Sequence, residues 1–118
     1  MRRPDSSEDP ALAALAELCA TARQMITNAE QILERAAFIQ GERTAGVPYR
    51  EIVPSEPRPL IVELISATLS QLADAGSRWR RAEARALHGE GLSMEVIAQL
   101  FGVTRQRVSS LLKAPLDR

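Results

Sequence analysis

The chain has one cysteine, one histidine and almost no aromatic side chains. A single Cys19 closes no disulfide within the chain and builds no cysteine-rich metal cluster; a free thiol fits a reducing compartment, and the pattern predicts a small buried side chain there. His88 has no second imidazole to work with, and neither a phosphate loop nor a metal-ligand spacing occurs, so the inventory argues against an enzyme and implies no cofactor. Glu30 with Glu34, and Glu51 with Glu56, fall in patterns of exposed helix and loop rather than in a paired-carboxylate site. Aromatics are 3% of residues, namely Tyr49, Trp79, Phe38 and Phe101, which is too few for a sheet core or a base-stacking platform. The longest nearly apolar run, Leu60–Leu69, is interrupted by Glu63 and is too short to span a bilayer. No signal-like apolar stretch opens the chain, which predicts a cytoplasmic protein with no membrane partner.

Net charge is also missing: 15 basic residues balance 15 acidic ones. The balance is regional. Residues 1–77 hold seven Arg/Lys against eleven Asp/Glu, whereas residues 78–118 hold eight against four. A polyanion responds to the local field, so the second segment is suited to one even though the chain as a whole is neutral.

What is abundant is helix-forming: Ala, Leu, Glu, Arg and Gln. The expected fold is all-α. Residues 1–9 carry no buriable pattern and read as a disordered tail, with Asp9 placed to cap a helix that begins at Pro10. From there Ala11, Leu15, Leu18, Ala22, Met25, Ala29, Ile32, Ala36 and Ile39 recur at heptad spacing, and Ile26 and Leu33 widen the stripe. Gly41 is expected to end this helix. Residues 44–59, with Pro48, Pro54, Pro57 and Pro59, are expected to form a connector with a brief extended segment over Val47–Val53. Heptad spacing resumes through Ile61, Ile65, Thr68, Leu72, Ala75, Trp79, Ala82 and Ala86, which predicts a second long helix crossing Gly76. Residues 10–77 thus read as a long helical hairpin or coiled-coil-like dimerisation region. Its apolar contacts are assigned to Leu18, Met25, Ile32, Ile39, Ile65 and Leu72, and the expected state is a homodimer.

Residues 78–113 form a separate module, followed by a tail at 114–118. Gly89 and Gly91 close the long helix. Ser93 then caps a short helix, with Leu92 packing on Ile97; Gly102 provides a turn; and Thr104 caps a second short helix, with Val103 packing on Val108. Ile97, Ala98, Phe101, Val103, Val108, Leu111 and Leu112 are the expected inward groups, covered by Trp79, Ala82, Ala86 and Leu87.

The residues Ile97-Ala98, Phe101-Gly102-Val103, Val108 and Leu111 make this stretch similar to the helix-turn-helix family of DNA-binding domains, which includes many bacterial repressors and the promoter-reading domain of sigma factors. The segment GVTRQRVSSLL also resembles the terminal segments of small actinobacterial transcriptional regulators, whereas residues 1–77 resemble no effector domain. The resemblance implies sequence-specific binding of double-stranded DNA through the major groove by a dimeric transcriptional regulator, associated with the nucleoid. It assigns base reading to Thr104, Arg105, Gln106, Ser109 and Ser110, and phosphate contacts to Arg80, Arg81, Arg85, Arg107 and Lys113. The competing expectation is a helical adaptor that uses the hairpin and the terminal module for contacts with a regulatory protein partner.

Overall fold

A computed structural model describes residues 9–114, and these form five α-helices: α1 Pro10–Thr44, α2 Tyr49–Ser55, α3 Ile61–Gly89, α4 Met94–Phe101 and α5 Arg105–Lys113. The fold is all-α. Of the tails expected at 1–9 and 114–118, all but Asp9 and Ala114 lie outside the described residues. The chain divides into two compact units, one of Met1–Cys19 with Ala73–Arg118 and the other of Ala20–Leu72. One division falls between Leu72 and Ala73, and the first turns of α1 belong with the terminal helices.

Helix starts follow local capping chemistry. The Asp9 carboxylate accepts from the amides of Ala11 (2.9 Å) and Leu12 (3.3 Å), two donors that a first turn otherwise leaves unpaired. At α3 two glutamates do this work. Glu56, itself buried, accepts from Ile61 N at 2.6 Å, and Glu63 reaches back to Leu60 N at 2.8 Å while its carboxylate also pairs with Arg58.

Three helices end, and the next three begin, through the same three-residue joint. Gly46, Gly91 and Gly102 follow α1, α3 and α4 with φ of 90°, 101° and 69°, the left-handed region that glycine enters without a Cβ penalty. Each glycine amide bonds back to a carbonyl of the last turn, at Arg43, His88 and Gln99. The apolar residue after it bonds one carbonyl further back: Val47 to Glu42, Leu92 to Leu87 and Val103 to Ala98, at 3.0–3.1 Å. A cap residue in extended conformation follows (Pro48, Ser93 or Thr104), and the next helix starts.

Two expectations are corrected by this geometry. Gly41 does not end α1, which continues to Thr44, because a helix tolerates an interior glycine at about 1 kcal/mol and the left-handed stop comes at Gly46. The extended segment expected at Val47–Val53 is largely the helix α2. Pro48 stands just before its first turn, and Pro54 sits next to its last residue, so neither proline interrupts the middle of the helix, and Ile52 becomes fully buried.

Within the unit Ala20–Leu72, α1 and α3 run antiparallel. Asn28 Nδ2 donates to Thr68 Oγ1 at 2.9 Å, and the buried Arg35 donates to the carbonyls of Pro59 (3.0 Å) and Arg58 (3.1 Å). Gln24 donates to the Asn28 amide oxygen and Thr68 to the Leu64 carbonyl, so the buried polar groups of this seam are hydrogen-bonded. Here the heptad reading is off by one residue in alternate positions. Met25 and Ile32 do face α3 and are half-buried, but the positions between them that turn inward are Asn28 and Arg35, not Ala29 and Ala36, and on α3 it is Leu64, not Ile65, that is buried. Apolar spacing alone favoured the alanines because it gives no credit to polar side chains that find partners.

In the other unit Glu17 on α1 forms an ion pair with Arg78 on α3, and that hydrogen bond is the main reason the Arg78 guanidinium holds its proton more firmly than usual. Cys19, expected to be buried, is exposed. It lies one turn from the exposed Leu15 and about 100° round α1 from the half-buried Leu18.

Candidate nucleic-acid interface

α4 and α5 are too short to bury an apolar core between themselves. Ile97 and Val108 are fully buried, Ala98 and Leu111 nearly so, and the fifth member of the cluster is Ala84 of α3. Leu87, Leu92, Met94, Phe101 and Leu112 pack around it. Leu87 and Leu92 are also the two ends of the backbone bond that closes α3, so the turn and the core reinforce each other. Ala84 was missed in the sequence reading because it lies off the heptad line of α3. Val103 departs from expectation in the other direction: it is 40% exposed, not stapled into the core.

The cap assignments stand as expected. Ser93 Oγ accepts from Val96 N at 3.2 Å, and Thr104 Oγ1 accepts from Arg107 N at 3.0 Å. Capping leaves the Thr104 hydroxyl proton free to meet an outside acceptor. With Val108 and Leu111 turned inward, α5 presents Thr104, Arg105, Gln106, Arg107, Ser110 and Lys113 to solvent, and Ser109 is half-buried at the edge. Ser110 donates to the Gln106 carbonyl at 3.2 Å, so its hydroxyl is available outward only as an acceptor. The Gln106 side-chain amide has both a donor and an acceptor to offer.

Arg105 is not free. Its Nε donates to Glu95 Oε1 of α4 at 2.7 Å, with both side chains about 60% exposed. Glu95 had no role in the sequence reading; it lies in the first turn of α4, where the helix dipole favours an acid.

The arginines assigned to phosphate divide into two groups. Arg80 and Arg107 are exposed and share a cleft of about 540 Å³ with Trp79, Glu83, Phe101, Val103 and Leu111. Lys113 is exposed on the last turn of α5. Arg81 is half-buried and donates to Ser77 Oγ at 2.7 Å. Arg85 is drawn into the fold: its Nη2 donates to the carbonyls of Leu112 and Ala114, which α5 leaves unpaired at its C-terminus. Sequence spacing could not reveal this, since 27 residues separate Arg85 from Leu112.

Of the residues assigned to dimerisation, Leu18, Met25, Ile32 and Ile39 are half-buried, while Ile65 and Leu72 are exposed. Among the described residues no group of His, Cys, Asp and Glu is placed to hold a metal ion, and no helix is long and apolar enough to cross a membrane. In comparison with known proteins, no family model matches this chain, and neither a curated protein nor a solved structure matches it.

Proposed function

We propose that α4, the Gly102 turn and α5 are a helix-turn-helix module, that α5 reads the major groove of double-stranded DNA, and that the protein is a dimeric transcriptional regulator in the cytoplasm, associated with the nucleoid. The observation that carries this reading is the division of α5 into two faces. One locks the helix into the core through Val108 and Leu111; the other offers Arg105, Gln106, Ser110 and Lys113 to solvent from a helix capped at both ends. Arginine can donate two bonds to guanine and glutamine can pair with adenine, so Arg105 and Gln106 supply base discrimination, with Thr104, Ser109 and Ser110 adding adaptable hydroxyls. Arg80, Arg107 and Lys113 supply phosphate contacts that set position without reading sequence. The role is binding, not catalysis.

The test is selection from random duplexes with the full chain. A defined sequence, two-fold repeated for a dimer, is the expected product. Arg105→Ala and Gln106→Ala should each lose about 1–3 kcal/mol on that duplex and relax preference at one base pair, with the fold preserved. Recovery of no preferred sequence, or unchanged preference in both variants, rejects the reading. A second reading, in which the module docks a regulatory protein, draws on Val96 and Leu100 of α4, apolar side chains left exposed beside the core. It is favoured if the selection fails and Leu100→Glu abolishes capture of a specific partner.

A further inference from the structure

The unit Ala20–Leu72 leaves its most regular apolar pattern uncovered. On α1 the line facing α3 runs through Met25, Asn28, Ile32 and Arg35; one residue further on, Ala22, Ile26, Ala29 and Leu33 are all exposed. On α3 the inward residues are Leu64 and Thr68, and one residue further on, Val62, Ile65, Leu69 and Leu72 are all exposed. One residue is a rotation of about 100° around a helix. For two facing helices that run antiparallel, the same rotation sense along each chain carries both lines to the same side of the pair. The Asn28–Thr68 bond sets the heights: Leu33 lies level with Val62, Ala29 with Ile65, Ile26 with Leu69 and Ala22 with Leu72. The result is one face, two helices wide, with no charged residue in its eight positions.

We propose that this face binds a second copy of the chain, forming a four-helix arrangement. Three features point to a copy and not to another occupant. The first is area. The six large side chains are 41–71% exposed, which leaves on the order of 600 Å² of contiguous apolar surface; that is at the upper limit for a monomer and close to the ~800 Å² that each partner buries in a stable dimer. The second is self-complementarity. Under a two-fold axis parallel to the helices, α1 of one copy lies beside α3 of the other at unchanged height, so Ala22 and Ala29 meet the partner's Leu72 and the partner's Ile65. Layers of four large side chains then alternate with layers of two large and two small, which lets the helices interdigitate. The third is the contrast with the inner seam. Asn28 and Arg35 sit inside, satisfied by hydrogen bonds within the chain, while the purely apolar line, which needs no specific partner groups, stays outside.

The inference rests on the dimeric form of the proposed function but moves the contact from Leu18, Met25, Ile32 and Ile39 to the neighbouring line, and it stands whether or not the protein binds DNA. Sedimentation equilibrium of the full chain across the micromolar range tests it. The expected mass is twice the 12.9 kDa of the chain. Leu33→Glu with Leu69→Glu, both at exposed positions, should give a monomer of unchanged helicity, with dimer dissociation raised by more than about a hundredfold. Leu33→Gln with Leu69→Gln provides the same test without added charge. Arg105→Ala should stay dimeric, so a failure of DNA reading is separable from a failure of this interface. A wild-type mass of 12.9 kDa throughout overturns the proposal, as does a dimer of undiminished affinity in both double variants. Flotation of a monomeric wild-type chain with phosphatidylglycerol vesicles would assign the face to lipid and overturn it equally.

Discussion

On the proposed function, Glu95→Gln should tighten binding to the duplex that α5 reads. In the free protein Arg105 Nε is held by Glu95 at 2.7 Å, and Arg105 cannot give the same donor to a guanine until that pair opens. The side chains are 59% and 63% exposed, so water and salt screen the pair and its worth is ~0.2–1 kcal/mol, not the several kcal/mol of a buried one. Removing the carboxylate spares that cost on binding and takes one negative charge away from the approaching phosphates. The expected gain is about two- to fivefold in affinity, obtained with at most about 1 kcal/mol lost in unfolding stability. Fluorescence anisotropy on the duplex recovered by selection, repeated at rising salt, reads it, and the gain should shrink as salt screens the ion pair in the wild-type protein. The same substitution in an Arg105→Ala background isolates the coupling, because no guanidinium remains to be released. Binding by Glu95→Gln no tighter than wild type at low salt, or an equal gain without Arg105, would refute the reasoning.

Glycine to alanine should change sign along the chain, since no atom stands within 4 Å of an added Cβ at either Gly102 or Gly76 and only backbone conformation differs. Gly102→Ala, at φ +69°, should destabilise by about 1–2 kcal/mol, and Gly76→Ala, inside α3, should stabilise by about 0.5–1 kcal/mol, both read by urea unfolding; the same sign in both variants would contradict this. Ile97→Ala empties the centre of the terminal core and should cost about 2–5 kcal/mol in thermal or urea unfolding, with a loss under 1 kcal/mol showing that the cluster carries little of the stability.

Features governed by neighbours in sequence were legible in advance. Asp9, Ser93 and Thr104 cap where a polar side chain precedes an apolar-periodic run, and Gly102 turns where a residue without a Cβ stands between two such runs. Features decided by the partner across space were not. Asn28 and Arg35 occupy the inner seam because Thr68 and the Arg58 and Pro59 carbonyls receive them, and no periodicity in α1 announces those acceptors. Prolines read only as breakers concealed α2, although Pro48 stands before its first turn and Pro54 near its end. At the candidate interface the exposed face of α5 was readable from Val108 and Leu111, which fix which side turns inward. The engagement of Arg105 by Glu95, and of Arg85 by the end of α5, depends on how far long side chains reach between elements.

The recurring joint of glycine, apolar residue and cap leaves no spare backbone at the ends of α1, α3 and α4. A loop absorbs an extra residue by bulging. Here the glycine amide and the amide after it are bonded to the helix before, and the cap carbonyl to the helix after, so an inserted or deleted residue passes into the next helix as a rotation of about 100°. At Gly102-Val103-Thr104 that rotation would swing Val108 and Leu111 out of the core and turn part of the polar face inward. The chain can therefore drift in composition along its helices far more freely than it can change length between them, and related proteins should keep these joints at three residues even where little else in their sequences can be aligned.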